Sequence, residues 1–366
     1  MAIEIRFATE NESNKCNKIL VDLYGKNYYG VDARFIKWKK ASPFKLPQEN
    51  ANSLFMIAVE NSNVLALQSF LPSKVIVEGK EFQAIWTTEW INISNIKGLG
   101  RNVFRALQTH ANINCFFGAN SFSANACTKI GWEIINNIER MLYVINKEKL
   151  CELFGYKPKS EQFYFVNEKF PFVKDVNHFV CEDINIISDR YFSEAISRFS
   201  SLSYRGLDFI EWRYYRHPYL KYFVISLDAY GKSGIAVLRV EQVKDSSLNV
   251  VRVLDILPSR GFEEDLAIAI ITFGKKNNAV LVDFFCVSSK YARELCPFPY
   301  LGLDEHISYD IPMLFQPIEV RERKSINFAI DMPSCPKGFD LKSFYATKSD
   351  AEQDVALNDD YKTPII

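Results

Sequence analysis

The block Phe35-Ile36-Lys37-Trp38-Lys39 returns 174 positions later as Phe209-Ile210-Glu211-Trp212-Arg213, and a proline follows each copy, Pro43 and Pro218. Five aligned positions with three identities are weak alone, so the weight falls on the elements after each copy. After the first copy come two apolar runs, Leu54 to Glu60 and Val64 to Leu71, split by Asn61-Ser62-Asn63, a hairpin signal. Lys74 to Phe82 adds an edge with its turn at Glu78-Gly79. Ala84 to Ile93 then reads as strand, Arg101 to Asn112 as helix, Asn114 to Ala119 as strand and Ser123 to Ile130 as helix. After the second copy, Tyr222 to Leu227, a Gly-Lys-Ser-Gly turn and Ile235 to Val240 restate the hairpin. Val250 to Leu257, Glu263 to Lys275 and Ala279 to Val287 restate the strand, helix, strand unit. The pattern predicts an α/β chain with mixed sheets, built as a tandem duplication.

Length agrees, since 366 residues exceed one ordinary domain. The pattern loosens through Gly155, Pro158 and Pro171, which gives halves at 1–150 and 186–366 with a linker at 151–185. At the amino end, Ile3 to Ala8 reads as strand and Ser13 to Gly25 as a helix with an N-cap serine. Basic and acidic residues both number 44, so no global field draws the chain to nucleic acid or an anionic membrane. No apolar run reaches the roughly 20 residues that span a bilayer, and MAIEIRFATENES is not a signal peptide, so a cytoplasmic protein is expected. Eight cysteines without a CxxC pair read as reduced, mostly buried thiols, with no metal site.

The loop Asn95-Ile96-Lys97-Gly98-Leu99-Gly100 leaves a strand and opens a helix. Two glycines allow close backbone approach, and the amides of Gly98, Gly100, Arg101 and Asn102 point into the gap at the positive end of the helix dipole. Lys97 and Arg101 add charge of the sign a pyrophosphate needs. Val103 or Phe104, Leu107 and Ala111 form the stripe that seats the helix.

A strand, this glycine loop, a helix, a strand ending at Asn120 and a short helix closing on Lys129-Ile130-Gly131-Trp132 resemble the GNAT acyltransferase superfamily over roughly residues 3–146. The resemblance implies that residues 97 to 102, Leu99 included, hold the pyrophosphate of acyl-coenzyme A. It also implies that Asn120 contacts the pantetheine arm and that Glu133 to Ile145 is the last strand. Asn95 replaces the usual glutamine or arginine, and Cys127 stands where many members carry the tyrosine that protonates the departing thiolate. Within the superfamily, the paired F-I-x-W blocks, Thr87-Thr88-Glu89-Trp90 and the segment Phe344-Tyr345 to Gln353-Asp354 are similar to bacterial sugar N-acyltransferases of surface-polysaccharide pathways. That likeness implies transfer of an acetyl or 3-hydroxybutanoyl group to the amine of a dTDP-linked amino-dideoxy sugar, for O-antigen or lipopolysaccharide synthesis.

Such transfer needs an unprotonated amine, a donor for the carbonyl oxygen and alignment of both substrates. By the resemblance, the amide of Glu89, Trp90 or Ile91 polarises the thioester. The Glu89 carboxylate, beside Trp86 and Trp90, is the first choice for base or amine orienter, with Trp86 toward the substrate; the plain alternative is a cross-strand pair with lysine. His217, ahead of Pro218, is the second candidate, against a structural role at a turn. Arg213, Tyr214 and Arg216 suit a nucleotide diphosphate or a buried corner. Asp350 and Asp354 suit an amino sugar or an acidic tail. Pro258-Ser259-Arg260-Gly261 offers a single glycine, so the second half is expected to shape the acceptor site and bind no second donor. A monomer then suffices. The alternatives are a Fem-type aminoacyl transferase, which uses charged tRNA, and a binding module that has lost its chemistry.

Overall fold

The computed structural model describes residues 2–26, 28–46, 53–119, 121–154, 179–180, 189–229, 232–243, 246–296, 302–303, 326–333 and 336–352. Along the first half run β1 (Glu4–Phe7), α1 (Glu10–Tyr24), α2 (Ala33–Lys40), β2 (Phe55–Glu60), β3 (Asn63–Val77), β4 (Lys80–Asn92), α3 (Leu99–Gln108), β5 (Ile113–Ala119), α4 (Ser121–Lys129), β6 (Glu133–Ile135), β7 (Glu139–Val144) and α5 (Lys147–Phe154). Then come β8 (Phe179–Val180), α6 (Asp189–Ser197), β9 (Ser201–Ser203), α7 (Leu207–Ile210), β10 (Phe223–Ala229), β11 (Lys232–Gln242), β12 (Asn249–Pro258), α8 (Glu263–Lys276), β13 (Ala279–Cys286), α9 (Ser289–Leu295), β14 (Gly302–Leu303), β15 (Asn327–Asp331) and β16 (Phe344–Tyr345).

The hairpins form where the turn residues allow a left-handed backbone: Asn61 and Ser62 have φ of 51° and 65°, and Glu78 and Gly79 have 47° and 76°. Helix α1 starts earlier than the serine signal suggests, because Thr9 and Glu12 form a capping box that satisfies two backbone donors. Arg6 pairs with Glu12 at 2.7 Å and holds its carboxyl down at about 2, which ties α1 to β1. One mixed sheet runs β1-β2-β3-β4-β5-β15-β6, with β9 also on β3 and β16 on β9. The other runs β14-β7-β13-β12-β11-β10-β8.

The expected single strand at Glu133 to Ile145 is broken. Asn137 takes φ 63°, β6 stays in the first sheet and β7 crosses to the second, antiparallel to β13. In return, β15 enters the first sheet between β5 and β6. The linker at 151–185 lies mostly outside the described residues.

The repeated blocks meet. Trp38 and Trp212 stack with centroids 4.6 Å apart and planes 8° from parallel; each indole donates to the other's carbonyl oxygen at 2.8 Å. This reciprocal geometry is what a local two-fold axis between the blocks produces. Trp212→Phe keeps the stack but removes the donor to the buried Trp38 carbonyl. It should lower unfolding free energy by about 1–3 kcal/mol, read as a fall in denaturation midpoint at unchanged m-value.

Candidate functional site

Strands β4 and β5 are paired in parallel only from Ala84 opposite Ile113 to Thr87 opposite Phe116. Beyond that point β4 follows β3, β5 follows β15, and a wedge opens between them. At the mouth of the wedge the β3–β4 register shifts between Gln68 and Phe70, a bulge that puts Thr88 and Glu89 opposite Ser69. A bulge reverses which face later residues occupy. Ile85 packs with α3 residues Leu99 and Val103, and Trp90, past the bulge, stacks on Phe104 of α3 at 4.7 Å. Trp86 lies on the other face beside Phe117 and Phe328, as does Ile91 against α1. The two tryptophans beside Glu89 therefore face opposite ways, and Trp86 is a fully buried core residue and not a substrate contact. The Glu89 amide donates to Ser69 Oγ at 2.8 Å and that of Ile93 to Leu65 O at 3.0 Å, both toward β3. Amides alternate along a strand, so the Trp90 N–H faces the wedge.

Across the wedge stands the start of α3. Gly98 is its N-cap with φ 82°, and no side chain caps it. The Leu99 and Asn102 amides are committed to Ile96 O and Gly98 O. The amides of Gly98, Gly100 and Arg101 have no acceptor among the described residues. Lys97, Arg101 and Asn102 are exposed above them. Gly100 marks the closest approach of helix and strand: its carbonyl accepts from the Trp90 indole at 2.9 Å, and a Cβ there would sit 3.3 Å from Asn92 Cβ and from Trp90 Nε1. Cys127 is buried in the cluster of Phe104 and Trp132, and burial pushes its thiol up to about 12, so it packs this end of the helix. Asn120 lies outside the described residues.

On the opposite face, α1, α2 and the edges of β2 to β4 enclose a cavity of about 340 Å³. Glu89 and Ser69 line its floor, Ser13, Asn14 and Asn17 one wall, and Lys37, Lys39 and Lys40 the other. The Glu89 carboxylate is held by the hydroxyls of Tyr28, Ser69 and Thr88, the last at 2.6 Å. These three contacts come from hydroxyls. Sequence reasoning passes over Tyr28, Ser69 and the lysines. Their one visible signal is the basic ending of the first repeat block.

Among the other candidates, His217, Arg213, Tyr214 and Asp350 are occupied by the fold. His217 Nδ1 accepts from the amides of Tyr219 and Leu220 at 3.3 and 3.0 Å, and its ring packs on Trp38. That is the structural turn role weighed against catalysis. Arg213 is buried, donating to Ser349 O at 2.8 Å and Tyr222 Oη at 2.9 Å, and Tyr214 is buried against Asp255. Both belong to a core corner and not to an open nucleotide surface. Arg216 is exposed and pairs with Glu211 at 2.5 Å. Asp350 is buried and bound to Arg205 at 2.6 Å and Ser203 Oγ at 2.7 Å, so its charge is already matched; Asp354 lies outside the described residues.

The other sheet contains a wedge of its own, between β12 and β13, and it is filled. Strands β12 and β13 pair as far as Val253 and Phe284, and β12 continues to Pro258. Residues 344–350 occupy the opening. The Ile256 amide donates to Tyr345 Oη at 3.0 Å, the Val287 amide donates to Ala346 O at 2.9 Å, and Thr347 bridges Cys286. The first turn of α8 carries Glu263, Glu264 and Asp265, which would repel a phosphate where α3 presents uncapped amides. That acidic turn is a stronger signal than the missing glycine.

By sequence, the chain matches no family model and no curated protein. By structure it is similar to a GCN5-related N-acetyltransferase from Anabaena variabilis, with TM-score 0.55 and 9% identity over 90% of this chain and 73% of that one. A GCN5-related N-acetyltransferase from Kribbella flavida aligns with TM-score 0.52 and 12% identity over 90% and 70%. The fold is that of the acyl-coenzyme A N-acyltransferases, as the glycine-loop resemblance implied. Among the described residues no helix is long and apolar enough to cross a membrane, and no group of three His, Cys, Asp or Glu side chains could hold a metal ion.

Proposed function

We propose that the chain is an acyl-coenzyme A dependent N-acyltransferase with one active site, at the β4–β5 wedge, acting on a nucleotide-linked amino sugar. The observation that carries this reading is the junction at residues 89–90. One strand turns the Trp90 amide toward the wedge beside the uncapped start of α3 and turns the Glu89 carboxylate into a separate polar cavity. The residues suit the donor: Gly98, Gly100 and Arg101 amides with Lys97 and Arg101 for the pyrophosphate, and the Trp90 N–H for the thioester oxygen as it gains charge. Glu89, aligned by Tyr28, Ser69 and Thr88, orients the acceptor amine and takes up a proton as the C–N bond forms and the C–S bond breaks. The acid that protonates the thiolate is left to solvent. Residues 1–150 and 186–366, joined by 151–185, are two copies of one unit. The second copy has its wedge closed, and both lie in one chain, so a monomer in the cytoplasm serves. The sugar acceptor rests on the resemblance of the paired F-I-x-W blocks and on the polar cavity.

The test is thiol release by purified protein against a panel of acyl-coenzyme A donors and dTDP-amino sugars. Glu89→Gln should lower kcat at least about tenfold with donor KM unchanged. Near-normal turnover would remove Glu89 from the chemistry, and a requirement for charged tRNA would replace the sugar reading with the aminoacyl one.

A further inference from the structure

We propose that Lys37, Lys39 and Lys40 at the end of α2 form the subsite for a phosphoryl group of the acceptor, across the cavity from Glu89. This inference rests on the N-acyltransferase reading and specifies its substrate.

The three lysines of this cavity outnumber its two carboxylates, Glu89 on β4 and Glu10 on the first turn of α1. Glu89 contributes a carboxylate at the floor, and α2 contributes three lysines within one turn. A ligand that satisfies both ends carries a basic or hydrogen-bond-donating group toward Glu89 and an anion toward α2. Lysines in a last helical turn commonly complement the helix dipole and nothing more. That role accounts for each lysine singly; it does not account for three lining one cavity. Among the described residues neither Lys37 nor Lys40 forms an ion pair, while Lys39 is buried with its ammonium over the Phe35 ring at 5.0 Å. On the α1 side of the cavity, the buried Asn17 Oδ1 has no donor among the described residues, and a sugar hydroxyl would supply one. Three ammonium groups in one turn match the double charge of a phosphoryl better than the single charge of a carboxylate. At about 340 Å³ the cavity is at the low end of small-molecule sites, about 300 to 1,000 Å³, so it holds a sugar with its phosphoryl and leaves a nucleoside outside.

The test compares one amino sugar in three forms: methyl glycoside, sugar 1-phosphate and dTDP-linked. The proteins are wild type, Lys37→Ala/Lys40→Ala, the matching double arginine variant and Lys18→Ala on the exposed side of α1 as control. Wild type should show a KM for the phosphorylated forms about tenfold or more below that of the methyl glycoside, rising with salt. The double alanine variant should lose that advantage through KM, with kcat and donor KM moving less than about twofold; the arginine variant should recover most of it. An advantage shared by both phosphorylated forms assigns a single phosphoryl to the subsite, and one confined to the dTDP form assigns the diphosphate. If the alanine variant keeps the full preference, or weakens all three acceptors equally, the lysine subsite is wrong while the transferase reading stands. If wild type acylates none of the three, the transferase reading itself fails.

Discussion

Replacing Gly100 with valine should weaken acyl-coenzyme A binding about 100-fold, equivalent to about 2.7 kcal/mol. On sequence grounds alone, the reason is that a side chain fills space the phosphates need. The structure gives a different one. A Cβ at position 100 already lies 3.3 Å from Asn92 Cβ and from Trp90 Nε1, and a β-branched side chain adds two methyl groups at the same spot. The start of α3 must then move away from β4, and with it goes the Gly100 carbonyl that holds the Trp90 indole at 2.9 Å. Both donors assigned to the cofactor, the α3 amides and the Trp90 N–H, shift together. Gly100→Ala asks its neighbours to give by only a few tenths of an ångström and should weaken binding less. Gly98→Ala acts differently, because at φ 82° it strains the backbone while its Cβ meets nothing closer than Arg101 Nη2 at 3.9 Å. Calorimetric titration with the free cofactor reads all three, with circular dichroism as the control on folding. A valine variant that binds like wild type would place the diphosphate elsewhere and end the donor-site assignment.

What the sequence makes legible is what local chemistry dictates. The hairpin at Asn61-Ser62, the glycine loop and the α3 stripe of Val103 and Leu107 each arise from backbone preference or periodicity within a few residues. Partner choice over long range is not written that way. Nothing near Asn137 announces that β7 leaves for the second sheet, or that β15 arrives from 190 residues further along. Glu89 stands out in the sequence, but strict alternation carries no sign of the bulge opposite Ser69; the one extra residue on β4 there separates the faces of Trp86 and Trp90 and turns the Glu89 carboxylate to hydroxyls. Asp350 reads as a ligand group through the likeness of its segment to a family tail, and Arg213 through the basic, aromatic block around it. Their partners, Arg205 and the Ser349 carbonyl, become neighbours only when residues 344–350 fold back into the second wedge.

That return segment makes Arg205→Leu the substitution with the largest expected effect on stability. Arg205 is fully buried between Asp255 at 2.9 Å and Asp350 at 2.6 Å, and it also donates to Ser349 Oγ at 3.2 Å. Removing it leaves two carboxylates in the core without their shared cation, which costs about 3–5 kcal/mol. The effect has a pH sign. Burial holds the Asp255 carboxyl above its ordinary range, and Arg205 is the strongest influence pulling it back. In the variant that restraint is gone, so the folded state binds a proton more tightly than the unfolded chain does. Stability of the variant should recover as pH falls from about 8 toward 5, because protonation removes the buried charge. Denaturation midpoints across that range check it, and a gap to wild type that stays constant with pH would show that the two acids are not the cause. Arg205→Lys should lose less, since a cation remains. In either variant the loosened Phe344–Asp350 segment opens the second wedge, yet Glu263, Glu264 and Asp265 still face any phosphate at α8. Donor binding should therefore remain at one equivalent per chain. A second equivalent appearing on loss of Arg205 would show that the return segment alone, and not the acidic turn, had kept the second half from binding.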